Sequence, residues 1–329
     1  MKQILTTLFD QQTLTREEAR EAMFRLGQGG VNASETAAFM TVYRMRPITV
    51  PELSGFRDAL LDLCRNPELG THEVLDIVGT GGDGKDTLNI STLACFVAAG
   101  AGHKVAKHGN FGVSSVCGSS NILAHFGYDF EAPSDTLRRQ LDEANICFLH
   151  AAAFHPAMRH AGPVRRELGV RTFFNILGPL VNPARPAAQL AGVFSLELLR
   201  LYNYLFQQTS TRYAVVHALD GYDELSLTGT AKVVSARGEQ VVTAATLGLP
   251  TYTATDLAGG QTVAESAALF LKVLDNEGTP AQRDVVTANA ALAIQCADPT
   301  LSLPDALAVA RESLASGAAR GAFRQLLNV

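Results

Sequence analysis

A glycine-rich segment between two apolar runs is the part of the chain best suited to chemistry. Residues 79–92 read GTGGDGKDTLNIST, and they follow the apolar run 74–78 and precede the apolar run 93–99. The pattern predicts a buried strand, a glycine turn and a helix N-terminus. Glycine lets the backbone approach a ligand, while unpaired N–H groups and the helix dipole favour negative charge. The segment is therefore typical of a binding site for a phosphate ester.

Two common nucleotide motifs fit this segment only in part. Gly79, Gly81 and Gly84 satisfy G-x-G-x-x-G, but a dinucleotide site also needs an acidic residue about 20 positions later. No Asp or Glu occurs between Asp86 and Asp129. The pattern G-x-x-x-x-G-K-[ST] fails at its last position, because Asp86 replaces the hydroxyl residue that would hold Mg²⁺. Neither a dinucleotide site nor a nucleoside triphosphatase is favoured.

The window 87–128 lacks acidic residues, although the whole chain carries a net charge of −5. A local positive field of this kind suits a polyanionic ligand. Within the window, residues 104–106 are predicted to end a strand, 107–115 to form a loop and 118–121 to open a helix. Serine and asparagine at a helix start also act as caps, so these residues alone leave capping and ligand binding both open. The basic residues of the window are His103, Lys104, Lys107, His108 and His125.

The N-terminal part of the chain is predicted to be helical. Three amphipathic helices are expected to start near Thr15, Asn32 and Thr49, each a residue whose side chain can cap a helix. No strand pattern separates them. A small all-helical domain is therefore expected over residues 1–70, and its remaining apolar surface suits a homodimer interface.

From residue 74 onward, short apolar runs alternate with helical patterns. Residues 146–149, 190–194 and 213–216 are almost wholly apolar, as in strands covered on both faces. Residues 233–235 and 240–242 flank a turn and predict a hairpin. The predicted fold class is α/β, with a small all-helical domain and a large doubly wound, mainly parallel sheet that carries one antiparallel element. Ligands bind such sheets at the carboxyl ends of the strands, where both glycine loops fall.

Composition excludes several classes of protein. The chain has 329 residues, of which 27 are basic and 32 acidic; this balance argues against broad nucleic-acid or anionic-membrane binding. Its 5 cysteines lack C-x-x-C spacing, so neither a disulfide framework nor a zinc site is indicated. No signal peptide and no apolar run of about 18 residues is present. A soluble, cytoplasmic protein without nucleic-acid or membrane partners is expected.

Together with the glycine loop, four further segments resemble the anthranilate phosphoribosyltransferase family of tryptophan biosynthesis. The resemblance runs from about residue 5 to the C-terminus, with the motifs in the family's order. It implies transfer of the phosphoribosyl group of 5-phosphoribosyl 1-diphosphate (PRPP) to the amino nitrogen of anthranilate, with Mg²⁺ assisting and diphosphate released. One departure is Phe111, where the family usually has Arg. The segments are 107–115 (KHGNFGVSS), 159–169 (RHAGPVRRELG), 171–183 (RTFFNILGPLVNP) and 220–226 (DGYDELS).

The resemblance also implies site residues. Asp223 and Glu224 match the family's metal ligands, and the Ser91 hydroxyl completes a Mg²⁺ site of hard oxygen donors. Arg165, rather than Arg166, is implied to bind the carboxylate of anthranilate through its planar fork. No catalytic nucleophile or general base is assigned, because the aromatic amine is neutral near pH 7. The implied substrate-binding residues are Gly79, Gly82, Asp83, Thr87, Asn89, Ile90, Ser91, Thr92, Lys107, His108, Gly109, Asn110, Ser114, Ser115, Ser119 and Arg165.

The resemblance further implies that the helical domain is discontinuous. Residues 1–70 would be completed by about 163–185, and residues 74–329 would form the α/β domain that binds PRPP. Two other functions stay open. One is a pyrimidine nucleoside phosphorylase of related architecture, and the other a non-catalytic nucleic-acid-binding relative. The Arg165 segment and the acid pair favour the transferase, and the net charge of −5 disfavours the nucleic-acid binder.

Overall fold

The structure, a computed structural model, describes residues 1–112 and 116–328. The chain forms two compact units. Unit 1 consists of Met1–Asn66 and Ala151–Pro183, and unit 2 of Pro67–His150 and Ala184–Val329. Two of the predicted substrate-binding residues, Ser114 and Ser115, lie outside the described residues.

Helices make up unit 1 and surround the strands of unit 2. Short 3-10 helices occupy Pro156–His160, Phe173–Ile176, Gly178–Leu180, Ala245–Leu247 and Ala254–Leu257. In the described part of the chain, no helix is both long enough and apolar enough to span a membrane. In chain order the α-helices are α1 (Lys2–Phe9), α2 (Arg16–Gly27), α3 (Ala33–Met45), α4 (Val50–Leu63), α5 (Ile90–Gly100), α6 (Ser119–His125), α7 (Ser134–Glu143), α8 (Ala151–Phe154), α9 (Gly162–Leu168), α10 (Leu196–Phe206), α11 (Val263–Leu274), α12 (Pro280–Ala297), α13 (Leu303–Ala315) and α14 (Ala318–Asn328).

In unit 1 the caps that the sequence predicts are formed. Thr15 and Glu18 make a capping box at the start of α2, as do Thr49 and Glu52 at the start of α4. Asn32 caps α3 through its side chain. The three predicted helices are confirmed as α2, α3 and α4, but a fourth helix, α1, precedes them and was not predicted. Helix α1 has no side-chain cap, and so the sequence carried no start signal for it.

Unit 2 is built on a seven-stranded sheet in the order β3-β2-β1-β4-β5-β6-β7. Strands β1 to β5 are parallel, whereas β6 and β7 form the antiparallel hairpin predicted from the sequence. The predicted fold class is thus confirmed. Strand order reverses between β1 and β4, which makes this the switch point where such sheets bind ligands. The strands are β1 (Leu75–Gly79), β2 (Val105–Gly109), β3 (Ile146–His150), β4 (Ala188–Gly192), β5 (Arg212–Ala218), β6 (Ala231–Ser235) and β7 (Gly238–Val242).

Strand β2 is longer than predicted. Lys107 and His108, expected in the following loop, belong to the strand and pair with Phe148 and Leu149 of β3. The prediction ended the strand at its last apolar residue. A lysine is compatible with a buried strand here because its ammonium finds a backbone carbonyl inside the unit, at Ile77.

Helix α5 fixes the glycine loop to the core of unit 2. Almost every side chain of α5 is buried, as expected for a helix that is apolar on all faces. Its Phe96 ring lies edge-on to the rings of Phe270 and Phe323, with centroids 5.9 and 5.2 Å away. Helices α12 and α14 pack against it. The N-terminus of α5 is consequently held at the carboxyl end of β1.

Candidate active site

The first glycine loop joins β1 to α5. Gly81 and Gly82 have φ angles of 63° and 77°, a left-handed conformation that only glycine adopts without strain. The Thr80 N–H donates to the Gly192 carbonyl at 2.9 Å, which ties the loop to the end of β4. Within the described residues, no group accepts a hydrogen bond from the N–H of Gly82 or Gly84. These donors are therefore available to an anion.

A short β-bridge fixes the far end of this loop. Thr87 pairs antiparallel with Ala258, and the N–H of Leu88 donates to the Leu257 carbonyl at 3.0 Å. Thr87, a predicted substrate-binding residue, is thereby placed at the point where the loop turns into α5.

Of the residues at the start of α5, some lie at the loop and others pack in the core of unit 2. The Asn89 side-chain amide donates to the Cys117 carbonyl at 2.8 Å, which links the first loop to the segment before α6. Ile90 and Thr92 have buried side chains, and the Ile90 N–H donates to the Leu88 carbonyl at 2.6 Å. Asn89 thus lies at the loop, whereas the side chains of Ile90 and Thr92 pack inside the unit.

The acidic loop after β5 lies against the first glycine loop. The Gly81 N–H donates to Oδ2 of Asp223 at 2.6 Å, and the Ser91 N–H donates to Oε1 of Glu224 at 3.0 Å. These partners are 142 and 133 residues apart in the sequence. The structure therefore brings together the three residues predicted as metal ligands.

Two glycines allow this close approach. Gly79 and Gly192 are direct neighbours across β1 and β4, and the Asp223 peptide passes over both. A Cβ atom on Gly79 would lie 2.4 Å from Oδ2 of Asp223, and one on Gly192 would lie 1.6 Å from the Asp223 carbonyl oxygen. Gly192 was not among the residues predicted from the sequence. Its signal was a glycine inside an apolar strand run, which often marks a close backbone approach.

The two carboxyl groups of this loop have raised pKa values. Burial raises the pKa of Asp223, and the nearby charge of Asp83 raises it further. Burial also raises the pKa of Glu224, followed by the charges of Asp223 and Asp83, while Lys107 acts in the opposite direction. Across residues 1–112 and 116–328, no three His, Cys, Asp or Glu side chains are arranged to hold a metal ion by themselves. A cation with further ligands of its own would relieve the repulsion.

Lys107 and His108 extend from β2 beside β1. Lys107 is 3% exposed, and its ammonium donates to the Ile77 carbonyl at 2.7 Å. The His108 backbone N–H donates to Oδ1 of Asp76 at 3.3 Å, and its ring is buried. To contact a diphosphate, the Lys107 ammonium must either leave the Ile77 carbonyl or donate a second hydrogen bond while keeping the first. This contact stays a prediction.

The second loop is closed by side chains of α6. Asn121 accepts hydrogen bonds from two backbone N–H groups, one at each end of the loop, at 2.9 Å each. The Ser119 hydroxyl donates to the Asn110 carbonyl at 3.4 Å, and a Cβ on Gly109 would lie 2.2 Å from the Ser119 oxygen. The predicted residues Gly109, Asn110 and Ser119 therefore lie together. Capping and ligand binding were both left open for Asn121, and its side chain both caps α6 and holds the preceding loop.

Phe111, which the resemblance marks as a departure, lies in the second loop. Its ring lies edge-on to those of His150 and Phe130, with centroids 5.1 and 6.0 Å away, and the residue is 44% exposed. The His150 ring in turn bonds to the Ser120 hydroxyl at 2.9 Å. Aromatic packing thus anchors this loop to β3 without adding a charge.

We expect Phe111→Arg to change the affinity for PRPP by less than about tenfold, near 1.4 kcal/mol. Loop donors and Lys107 would already neutralise the ligand, and an arginine can stack on the same rings. Phe111→Leu serves as the control for lost aromatic packing. Substrate affinity would be measured as the Michaelis constant for PRPP at saturating anthranilate, and a gain well above tenfold with Arg would contradict this account of the loop.

Arg165 belongs to unit 1, on α9. Its guanidinium lies over the Phe174 ring, 4.9 Å from the centroid, and partial burial lowers the pKa of Arg165. Arg166 is exposed. Stacking restricts the guanidinium of Arg165, as expected of an arginine that presents a planar fork to a ligand.

Comparisons with known proteins agree with these features. A model described as "Glycosyl transferase family, a/b domain" matches residues 71–320, and one described as "Glycosyl transferase family, helical bundle domain" matches residues 2–64. The anthranilate phosphoribosyltransferase of Cytophaga hutchinsonii is 55% identical over 325 residues, covering 99% of both chains. That of Bacteroides thetaiotaomicron is 48% identical over 329 residues, covering 100% of this chain and 99% of its own.

Solved structures show the same likeness. The crystal structure of anthranilate phosphoribosyltransferase from Thermus thermophilus superposes with a TM-score of 0.93 at 39% identity, covering 99% of each chain. The Saccharomyces cerevisiae enzyme in complex with PRPP and Mg superposes with a TM-score of 0.90 at 24% identity, covering 99% of this chain and 96% of its own.

Fold and sequence matches together define a glycosyltransferase with a helical domain and an α/β domain. Within that class, the chain belongs to the anthranilate phosphoribosyltransferase family. The resemblance inferred from the motifs is thereby confirmed. The relatives named above are not nucleoside phosphorylases or nucleic-acid-binding proteins, and so neither alternative gains support.

Proposed function

We propose that PRPP binds at the carboxyl ends of β1 and β4, with its diphosphate on the first glycine loop. As a member of its family, the chain transfers the phosphoribosyl group of PRPP to the amino nitrogen of anthranilate in tryptophan biosynthesis. The observation that carries the proposal is the contact of Asp223 and Glu224 with Gly81 and Ser91. This contact supports the proposal because Gly82 and Gly84, whose N–H groups are unpaired among the described residues, belong to the same loop as Gly81. Mg²⁺ typically binds one or two carboxylates together with substrate phosphates.

The chemistry of the donor set fits Mg²⁺. Asp223 and Glu224 offer hard carboxylate oxygens, and the Ser91 hydroxyl would be a third oxygen ligand. Mg²⁺ usually keeps several waters and shares its shell with substrate phosphates. Two or three protein ligands are therefore enough. Burial is the main reason that the pKa values of both carboxyl groups are raised, and the charges of neighbouring carboxylates raise them further. A divalent cation would compensate this negative charge.

The residues around the loop would stabilise the departing diphosphate. The bond to the anomeric carbon breaks towards an oxocarbenium-like state, so negative charge grows on the leaving group. The N–H groups of Gly82 and Gly84 are unpaired among the described residues, and Lys107 adds a buried positive charge nearby. When held by the acid pair, Mg²⁺ supplies further neutralisation of the phosphate oxygens. The neutral aromatic amine needs no covalent nucleophile.

Arg165 is proposed to bind the carboxylate of anthranilate. Support comes from the motif match at this position and from the fixed orientation of its guanidinium over Phe174. A guanidinium can make two parallel hydrogen bonds to one carboxylate. Such a pair selects an aromatic acid over an amine without the carboxylate.

We expect Arg165→Ala to raise the Michaelis constant for anthranilate roughly ten- to a hundredfold, because a charge-assisted hydrogen bond contributes about 1.5–3 kcal/mol. The Michaelis constant for PRPP should change little. Arg166→Ala is the matched control, since Arg166 neighbours it on α9 and is exposed. Equal damage to both Michaelis constants by Arg165→Ala would place Arg165 outside the anthranilate site.

A cytoplasmic homodimer associated through unit 1 completes the proposal. Phe9 and Met45, on helices α1 and α3, are large apolar side chains that unit 1 leaves exposed. A contiguous exposed apolar patch favours association with another surface, and we propose that these two side chains belong to one. Sedimentation equilibrium of the protein, compared with the variant Met45→Glu, would test this association.

A further inference from the structure

A buried asparagine of α12 pairs with the backbone that follows the acid pair. Oδ1 of Asn289 accepts a hydrogen bond from the Leu225 N–H at 3.0 Å, and its Nδ2 donates to the Leu225 carbonyl at 2.8 Å. The same Nδ2 also donates to the Val285 carbonyl, one helical turn earlier, at 2.8 Å. Asn289 is 2% exposed. Its amide thus satisfies both backbone groups of a single residue in the acidic loop.

This pairing fixes the loop directly beside Glu224. Leu225 is fully buried, so its N–H and carbonyl need partners inside the protein. A side-chain amide supplies a donor and an acceptor at once, as a neighbouring strand would. The Asn289 amide therefore substitutes for a β-ladder at a place where the chain has left the sheet.

Asn289 projects from a helix that is packed in the core of unit 2. Val285 and Val286 of α12 are completely buried, and the helix packs against α5, β4 and β5. On the other side of the acid pair, the Ala218 N–H donates to the Tyr222 carbonyl at 3.0 Å. Asp223 and Glu224 are consequently held between the end of β5 and the Asn289 amide.

We propose that Asn289 is a positioning residue for Mg²⁺ and PRPP, because it holds the Leu225 peptide and so aims the Asp223 and Glu224 carboxylates. The Asn289 side chain bonds to Leu225 and Val285, so it acts on the site through the loop. The inference rests on the proposed function, in which this acid pair binds Mg²⁺.

Two variants separate the pairing with Leu225 from the bond within α12. Asn289→Ala removes all three hydrogen bonds. Asn289→Ser is too short to reach Leu225, but its hydroxyl can still donate to the carbonyl four residues earlier, at Val285. Thr287→Val is the matched control. Thr287 is equally buried on the same helix, and within the described chain its hydroxyl bonds to helix carbonyls alone, those of Arg283 and Asp284.

The measured quantities are the Mg²⁺ concentration for half-maximal rate, the Michaelis constants and the thermal midpoint. We expect both Asn289 variants to need about tenfold more Mg²⁺, as the loss of two buried hydrogen bonds implies. The Michaelis constant for PRPP should rise together with the Mg²⁺ requirement, while the Michaelis constant for anthranilate stays constant. Excess Mg²⁺ should restore turnover. Thr287→Val should lower the thermal midpoint without changing the Mg²⁺ requirement.

A double variant tests whether Asn289 acts through the acid pair. If it does, Asn289→Ser should add little to the Mg²⁺ requirement of Glu224→Gln, because residues acting on one site are not additive. A normal Mg²⁺ requirement in folded Asn289→Ser would overturn the inference, as would full additivity. If Asn289→Ala does not fold, the Mg²⁺ requirement of Asn289→Ser and its additivity with Glu224→Gln still test the inference. If Glu224→Gln alone leaves the Mg²⁺ requirement unchanged, the proposed metal site itself is wrong.

Discussion

The double variant Asp223→Asn, Glu224→Gln should remain folded and lose turnover by about a hundredfold or more, since each 1.4 kcal/mol of lost transition-state stabilisation is a factor of ten. The substitutions keep size and hydrogen-bonding capacity but remove two negative charges. The Mg²⁺ requirement should rise strongly, whereas anthranilate binding should not change. The reason is that the metal acts on charge that develops only as diphosphate leaves. Steady-state rates over a Mg²⁺ titration would measure both effects.

The chain contains a matched control for this experiment. Asp142 and Glu143 form the same dipeptide in unit 2, at the end of α7, where Asp142 pairs with His72 and Lys104. Asp142→Asn with Glu143→Gln removes the same two charges from an exposed place. We expect normal turnover and an unchanged Mg²⁺ requirement. A double variant of Asp223 and Glu224 that behaved like this control would show that the acid pair holds no metal.

Gly192→Ala should be nearly as damaging, although residue 192 carries no functional group. Its new Cβ would lie 1.6 Å from the Asp223 carbonyl oxygen and 2.8 Å from the carbonyl carbon. The acidic loop must therefore move away from β4, and a displacement of this kind costs about a hundredfold in rate. The overpacking should also lower the free energy of unfolding by about 1–3 kcal/mol. Rates and urea unfolding curves would be measured on the same preparation.

The control for Gly192 is Gly321→Ala. A Cβ on Gly321 would meet nothing within 4 Å, and the residue lies in α14, where alanine favours the helix by about 1 kcal/mol. We expect Gly321→Ala to keep full activity and to unfold at slightly higher urea. Gly192→Ala with the wild-type rate would show that the acidic loop tolerates displacement, and that the acid pair is not positioned as described.

Local patterns were sufficient to predict the elements that carry the site. The glycine loop follows a buried strand and opens a helix, because glycine spacing and apolar periodicity depend on near neighbours. Thr15 and Thr49 marked helix starts for the same reason. The motif match then supplied Asp223 and Glu224, which a residue-by-residue analysis would have treated as a solvated acidic loop.

Contacts between distant residues were beyond the reach of the sequence. Asn289 pairs with a residue 64 positions away, and nothing near Asn289 in the sequence indicates a partner. Gly192 is important because the Asp223 peptide, which follows β5, passes directly over it. The strand end at Lys107 was misplaced, since the carbonyl of Ile77 that makes a buried ammonium acceptable comes from a neighbouring strand. Each of these features depends on tertiary packing and not on local propensity.

The most direct test of the account follows the fluorescence of anthranilate as the purified protein consumes it. Loss of fluorescence should occur only when PRPP and Mg²⁺ are both present, and one diphosphate should appear for each anthranilate consumed. A pyrimidine nucleoside with free phosphate should give no reaction. A folded sample that leaves anthranilate unchanged with PRPP and Mg²⁺ would contradict the assigned function.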